Sequence, residues 1–307
     1  MLHHRQFALP LAALALSGLV IGCAGQTSEP DGSSDPSALE TEPGAQNQGA
    51  SSKADEGEPL VAPVEDPGPV TDPKAIVFKA GDKVMTGAVA NLRYDVEGTT
   101  RGDIVRVVAE GTELTVVSDG GLGERFLRAT IGELPVLAAR AGLKKSTSGV
   151  DGATQPAVAR ALSAVGFSYY WGHGSWTKAG TSIEVTGSCS GGCPDCTHSG
   201  RFGADCSGLV AKAWQVPSTN TDVTKDSHPF STADMVGASK YWSFVDRSKV
   251  LAGDALAYNA DGKGHTFIYK NGDGWGSFWS VEARGCNYGI TYNLRTAGSN
   301  YKTLRKK

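Results

Sequence analysis

The alternation of hydrophobic and polar positions changes character several times along the 307-residue chain. An unbroken apolar run from Phe7 to Ile21 gives way to residues 24–74, which contain no aromatic side chain. Over 75–145, short β-branched runs alternate with turn residues, and the segments 76–79, 83–92, 103–109, 113–118 and 124–131 predict strands. Five short strands in so little chain predict a small all-β barrel. Past residue 150 the pattern predicts a helix over 154–165, with Thr154 as its cap, Pro156 in its first turn and Gly166 at its end. A second helix opens around Asp205-Cys206. The segment 265–269 reads as a strand with Thr266 and Ile268 facing away from His265, Phe267 and Tyr269. Residues 270–276 read as a hairpin loop and 277–283 as the returning strand. Pairing Tyr269 with Phe278 then sets Glu282 directly across from His265.

Composition explains the first two segments. His3, His4 and Arg5 precede the apolar run, which is shorter than the roughly 20 residues a bilayer span needs, so residues 1–22 read as an export signal. Val20-Ile21-Gly22-Cys23 resembles the bacterial lipobox, which implies cleavage before Cys23, a lipid on its thiol and attachment to a membrane of the cell envelope. Residues 24–74 hold eight of the fourteen prolines and eleven acidic against two basic residues, so 23–74 is expected to act as a disordered, extended tether. The chain beyond residue 74 is net +5. That suits a polyanionic envelope but falls short of the basic stripe of a nucleic-acid binder.

Three ordered blocks carry chemistry: Phe167-Ser168-Tyr169-Tyr170-Trp171-Gly172-His173-Gly174, Ala204-Asp205-Cys206-Ser207-Gly208-Leu209-Val210 and Gly264-His265-Thr266-Phe267-Ile268-Tyr269. Together they resemble the NlpC/P60 family of papain-like cysteine peptidases, across 154 to about 295. Val89–Arg93 and Val108–Val116 resemble the bacterial SH3-like domain, without its usual Gly-Trp-Val. The expected architecture is α+β: a papain-like domain over 150–307, helices packed on an antiparallel sheet, after an SH3-like barrel over 75–145. The resemblance implies that Cys206 is the nucleophile and His265 the acid–base. Glu282 is the expected third residue, with Asn287 and Asp254 as alternatives. It also implies oxyanion stabilisation by Tyr169, recognition of a substrate amine by Asp205, and substrate contacts from Ser207 and Ser231. A helix start suits the nucleophile, because free amides and the helix dipole favour a thiolate there.

The resulting expectation is a monomeric, cofactor-free endopeptidase acting on peptidoglycan stem peptides, at the D-glutamyl-diaminopimelate bond if the resemblance holds that far. Amidase or acyl-transfer chemistry, or a catalytically silent wall-binding lipoprotein, are the alternatives. Setting aside Cys23 and Cys206 leaves Cys189, Cys193, Cys196 and Cys286. In an exported protein these predict two disulfides, one joining Cys286 to the 188–198 insertion and one closing a small loop within it. The rival is a zinc site built from Cys189, Cys193, Cys196 and either His198 or Cys286; no metal is expected.

Overall fold

In a computed structural model of the chain, residues 53–54, 63–72, 75–95, 103–148, 155–177, 182–219, 222–226 and 228–307 are described, all within one compact unit, Ala45–Lys307. The export signal, Cys23 and most of the tether lie outside the described residues. Among the described residues no helix is long and apolar enough to cross a membrane. A two-residue strand, β1 (Lys53–Ala54), pairs in parallel with Lys263–Gly264.

Seven antiparallel strands follow: β2 (Lys83–Thr86), β3 (Ala90–Tyr94), β4 (Ile104–Val108), β5 (Glu113–Ser118), β6 (Phe126–Ile131), β7 (Leu134–Ala139) and β8 (Leu143–Lys145). They form one sheet in the order β4-β3-β7-β6-β5-β2-β8. Period-two burial orients it: Leu127, Ala129 and Ile131 of β6 face the core while their neighbours are half-exposed. Leu92, Leu114, Leu134 and Val136 complete that core.

Several expectations need correction. Residues 76–79 form no strand, because polar side chains take their amides: Phe78 N donates to Asp119 Oδ2 at 2.9 Å and Lys79 N to Asp82 Oδ2 at 2.9 Å. The run 83–92 breaks at 87–89, where Gly87 N bonds Gly142 O. Leu134–Ala139 is a strand despite Pro135. Its pairing with β3 covers only Val136–Ala138, so the proline costs no ladder bond on that side. The last part of the expected tether is docked rather than free. Asp66 is buried, pairs with Arg93 at 2.7 Å and accepts from Asn91 Nδ2 at 2.9 Å, and Arg125 donates to the carbonyls of Asp66 and Pro67. Ionic and backbone anchoring does here what apolar burial could not, given the composition.

The remaining elements are α1 (Pro156–Leu162), β9 (Gly174–Ser175), α2 (Ile183–Thr186), β10 (Ser188–Ser190), β11 (Thr197–Ser199), β12 (Gly203–Ala204), α3 (Cys206–Trp214), α4 (Thr232–Met235), β13 (Trp242–Val245), β14 (Ala255–Ala260), β15 (Lys263–Gly272), β16 (Phe278–Ala283), β17 (Ile290–Arg295) and β18 (Lys302–Lys306). The cap of α1 is Gln155, whose side chain accepts from Ala157 N; Thr154 lies outside the described residues. The second sheet runs β13-β18-β14-β15-β16-β17, with β1 added to β15. α3, buried along its whole length, packs on β15 and β16.

The two sheets meet at β17. Leu294 N donates to Gly111 O at 3.1 Å, and Thr112 bridges Asn293. Arg106 of β4 crosses the interface fully buried, and its Nη1 donates to the carbonyls of Gly166 and Phe167, each at 2.9 Å. Burial draws this guanidinium down to about 10, which leaves it charged at neutral pH. Arg106→Ala removes the donor to the Gly166 carbonyl, while the Phe167 carbonyl keeps Ile290 N, and is expected to cost about 1–3 kcal/mol. The check is the urea unfolding midpoint followed by tryptophan fluorescence.

Candidate active site

The start of α3 is built by a carboxylate. Asp205 sits at the N-cap in extended backbone, and its Oδ1 accepts from Gly208 N at 2.6 Å and from Ser207 Oγ at 3.0 Å. Its Oδ2 accepts from Gly172 N at 2.9 Å and lies 3.7 Å from His228 Nε2. Asp205 N returns a bond to His173 O, which lashes the 169–174 loop to the helix start. Gly208 makes that approach possible, since any Cβ there would collide with the His173 carbonyl. Both Asp205 oxygens are therefore engaged in capping and in fastening the loop. Ser207 serves the same cap.

Cys206 is the first residue of the helix, buried, and the free cysteine among the described residues. The far end of α3 is fixed by Trp214, whose Nε1 donates to Gly253 O at 2.8 Å, and Gly253 N bonds Tyr269 O. Trp214 therefore anchors the C-terminal end of α3 at the Tyr269 end of β15. Tyr169 is buried and bridges Ala204, two residues before the cysteine.

His265 lies near the start of β15, paired with Tyr258 of β14 in an unbroken register. The predicted alternation holds: Ile268 belongs to the core that includes Leu209 and Trp214, while Phe267 and Tyr269 form a second cluster with Leu256 and Phe278 on the other face. His265 shares that second face, and its Nε2 lies 2.8 Å from Glu282 Oε2, with both side chains almost fully buried. Nε2 is thus committed to the carboxylate.

The expected pair forms, but by a different register. β15 continues to Gly272, a bulge at Lys270 shifts the ladder, and Tyr269 pairs with Ser280 rather than Phe278. One further step from the Ile268–Val281 pair sets Glu282 across from Phe267, diagonal to His265. A displacement of two residues keeps the side chain on the same face, which is why the contact survives the error.

Two arginines that the sequence reading missed complete the cluster. Arg295 Nη1 donates to Glu282 Oε2, and Arg284 Nη1 lies 4.0 Å from Oε1. Burial alone would push the Glu282 carboxyl up. Arg295 most of all, then the His265 bond and Arg284, reverse this and hold it far below the usual carboxylate range. Strand periodicity places Arg295 on β17, but nothing in it reveals a reach to β16. Both arginines line a cleft of about 820 Å³ between the sheets, with Val89, Glu110, Lys144 and Tyr288.

The other candidates have structural partners. Ser231 caps α4 in a reciprocal box with Asp234. Asp254 is held by Arg305 through two bonds of 2.9 and 2.7 Å, and Asn287 lies in the turn after β16. A second missed group flanks the loop. Tyr170 stacks between His173 and His198, with ring centroids 3.6 and 3.8 Å away, His173 pairs with Asp226 at 2.6 Å, and His198 Nε2 meets Ser168 Oγ at 2.5 Å. Burial, then repulsion from His173, pulls His198 down to about 4, so it is neutral near pH 7.

The bridges are Cys189–Cys286 and Cys193–Cys196. Their four sulfurs lie within 4.8 Å of one another, close enough for a metal if reduced, but as disulfides they offer it no thiolate.

No protein-family model and no curated protein matches the chain. Among solved structures, one of NlpC2 from Trichomonas vaginalis is 18% identical, covering 73% of this chain and 71% of that one, with a TM-score of 0.30. One of NlpC1 from the same organism is 17% identical over 72% and 69%, with a TM-score of 0.28. At these TM-scores the likeness adds nothing to the residue geometry.

The bridge to Cys286 spans 97 residues of sequence and the other spans 3. By loop-closure entropy, serine replacement of the Cys189–Cys286 pair is expected to cost about 4–5 kcal/mol and of Cys193–Cys196 about 2 kcal/mol. Urea midpoints of the two double variants check the ranking.

Proposed function

We propose that the chain is an exported cysteine endopeptidase of peptidoglycan stem peptides, anchored through a lipid on Cys23. The observation that carries the catalytic part is a free cysteine opening a buried helix that packs on the strand whose histidine is held by a buried, ionised carboxylate. In this reading the Cys206 thiolate adds to the scissile carbonyl, the C–N bond breaks, and the His265 imidazolium gives its proton to the leaving amine. Water then hydrolyses the thioester with His265 as base, which restores the thiol. The Cys206 amide at the helix start and Tyr169 supply oxyanion stabilisation, and Glu282 fixes the tautomer in which Nε2 carries the proton. No cofactor enters these steps. The substrate class comes from the family resemblance and from the basic balance of the folded part.

The reading requires Cys206 Sγ and His265 Nδ1 to meet at the strand end. A short bifunctional alkylator is expected to cross-link the two, and a map placing the link elsewhere rejects the pair. Cys206→Ala and His265→Ala are expected to abolish release of peptide fragments from purified sacculi. Glu282→Gln should retain part of the activity and Glu282→Ala less, since the first keeps a hydrogen bond and loses only the charge. Mass spectrometry of the fragments identifies the bond, and a chain that binds sacculi without cutting them is the silent lipoprotein instead.

The anchor is tested separately. Cys23→Ser is expected to move the protein from the detergent phase to the aqueous phase, or to leave it unprocessed. Unchanged partitioning of an exported Cys23→Ser chain would falsify the lipid anchor.

A further inference from the structure

A buried carboxylate has a charge problem that the histidine alone does not solve. Glu282 is fully buried, and during the proposed reaction His265 alternates between imidazolium and neutral imidazole. In the neutral half of the cycle, a Glu282 balanced only by His265 would be an uncompensated buried anion. It would then take up a proton or force one to stay on the imidazole.

The cation that removes this problem comes from β17. Arg295 Nη1 donates to the same oxygen, Oε2, that receives His265 Nε2, so the carboxylate oxygen is shared between a permanent cation and a titrating ring. Arg295 is itself held in place. Its guanidinium lies 4.3 Å from the Phe267 ring centroid and 5.8 Å from that of Tyr301, and Nη2 reaches the Tyr301 hydroxyl at 3.4 Å. Arg284, just past the end of β16, stands farther off at 4.0 Å from the other oxygen and stacks on Tyr288. Around His265 the titratable or charged groups are Tyr258 from β14, Glu282 from β16, Arg284 just after it, Arg295 from β17 and Tyr301 before β18. Cys206, Asp205 and His228 belong to the helix side.

We propose that Arg295 is the positioning residue of this triad: its guanidinium keeps the Glu282 carboxylate ionised and aimed at His265 Nε2 through both charge states of the imidazole. The proposal rests on the cysteine-peptidase reading for its catalytic consequence, but not for its geometry. Without Arg295, burial of Glu282 is opposed only by the His265 bond and the more distant Arg284, and its carboxyl rises. Acidification then protonates Glu282 first and releases the ring. The acid side of the activity profile should therefore move up, while the neutral rate falls less.

The test uses the full chain, with iodoacetamide alkylation of Cys206 followed against pH and the hydrogen-bonded imidazole proton of His265 followed by NMR. Arg295→Gln is expected to move the acid side of the alkylation profile upward by about 1 pH unit or more and to lose or broaden the imidazole proton resonance. Arg295→Lys keeps the charge without the planar fork and should fall between the two. Folded Arg295→Gln and Arg295→Lys proteins that both retain the wild-type profile and proton resonance overturn the proposal; should the glutamine variant not fold, wild-type behaviour of Arg295→Lys alone overturns it. A wild-type profile indifferent to His265→Ala overturns the peptidase reading instead, and the imidazole resonance still decides the role of Arg295.

Discussion

The buried negative charge of Glu282 is the constraint around which this face of the second sheet is arranged. A carboxylate removed from water must be matched by cations or hydrogen bonds, and here it is matched three times, by His265, Arg295 and Arg284. Each partner arrives on a different footing. His265 comes from β15 on one side, Arg295 from β17 on the other, and Arg284 from the turn just past the end of β16. The requirement ties together three adjacent strands, on whose shared face Phe267, Phe278 and Leu256 also pack.

At the opposite end of the candidate dyad a second carboxylate organises the backbone rather than a side chain. Asp205 closes the helix start and holds the 169–174 loop, so the cysteine's position follows from the cap. This bears on the expectation that Asp205 recognises a substrate amine. With its oxygens already accepting from Gly208, Ser207 and Gly172, the residue would have to give up part of the cap to do so. Capping and the fastening of the loop account for the hydrogen bonds it accepts from Gly208, Ser207 and Gly172.

What was legible in the sequence followed from local rules, and what was missed depended on long-range partners. The strand at 113–118, the helix opening at Cys206 and the return strand near 278–283 were read from alternation and capping patterns that operate within a few residues. The disulfide framework was readable from count and compartment, because 188–198 is compact enough to close one bridge within itself. The exact hairpin register was not readable, since it turns on a bulge at Lys270 whose cause is the ladder itself. Arg295 and Arg284 gave no signal because an arginine at a strand end is ordinary until its partner across the sheet is known. The docked stretch 63–72 misled in the same way. Its composition forbids a hydrophobic core but says nothing about Arg93 and Asn91 on the first sheet or Arg125 just before β6.

These long-range dependencies link the two sheets. Asn293 and Leu294, the residues of β17 just before Arg295, are the ones that bond to the 111–112 turn of the first sheet. Arg106 fastens the same sheet to the carbonyls of Gly166 and Phe167, immediately before the loop that is tied to the start of α3. The first sheet thus touches both halves of the candidate site, one through the strand that delivers Arg295 and one through the segment leading to Tyr169. Its part in the chemistry is then mechanical: it sets the spacing between the element that supports the histidine's carboxylate and the element that supports the cysteine. Loss of that spacing would act on the reacting pair without altering any residue that belongs to it.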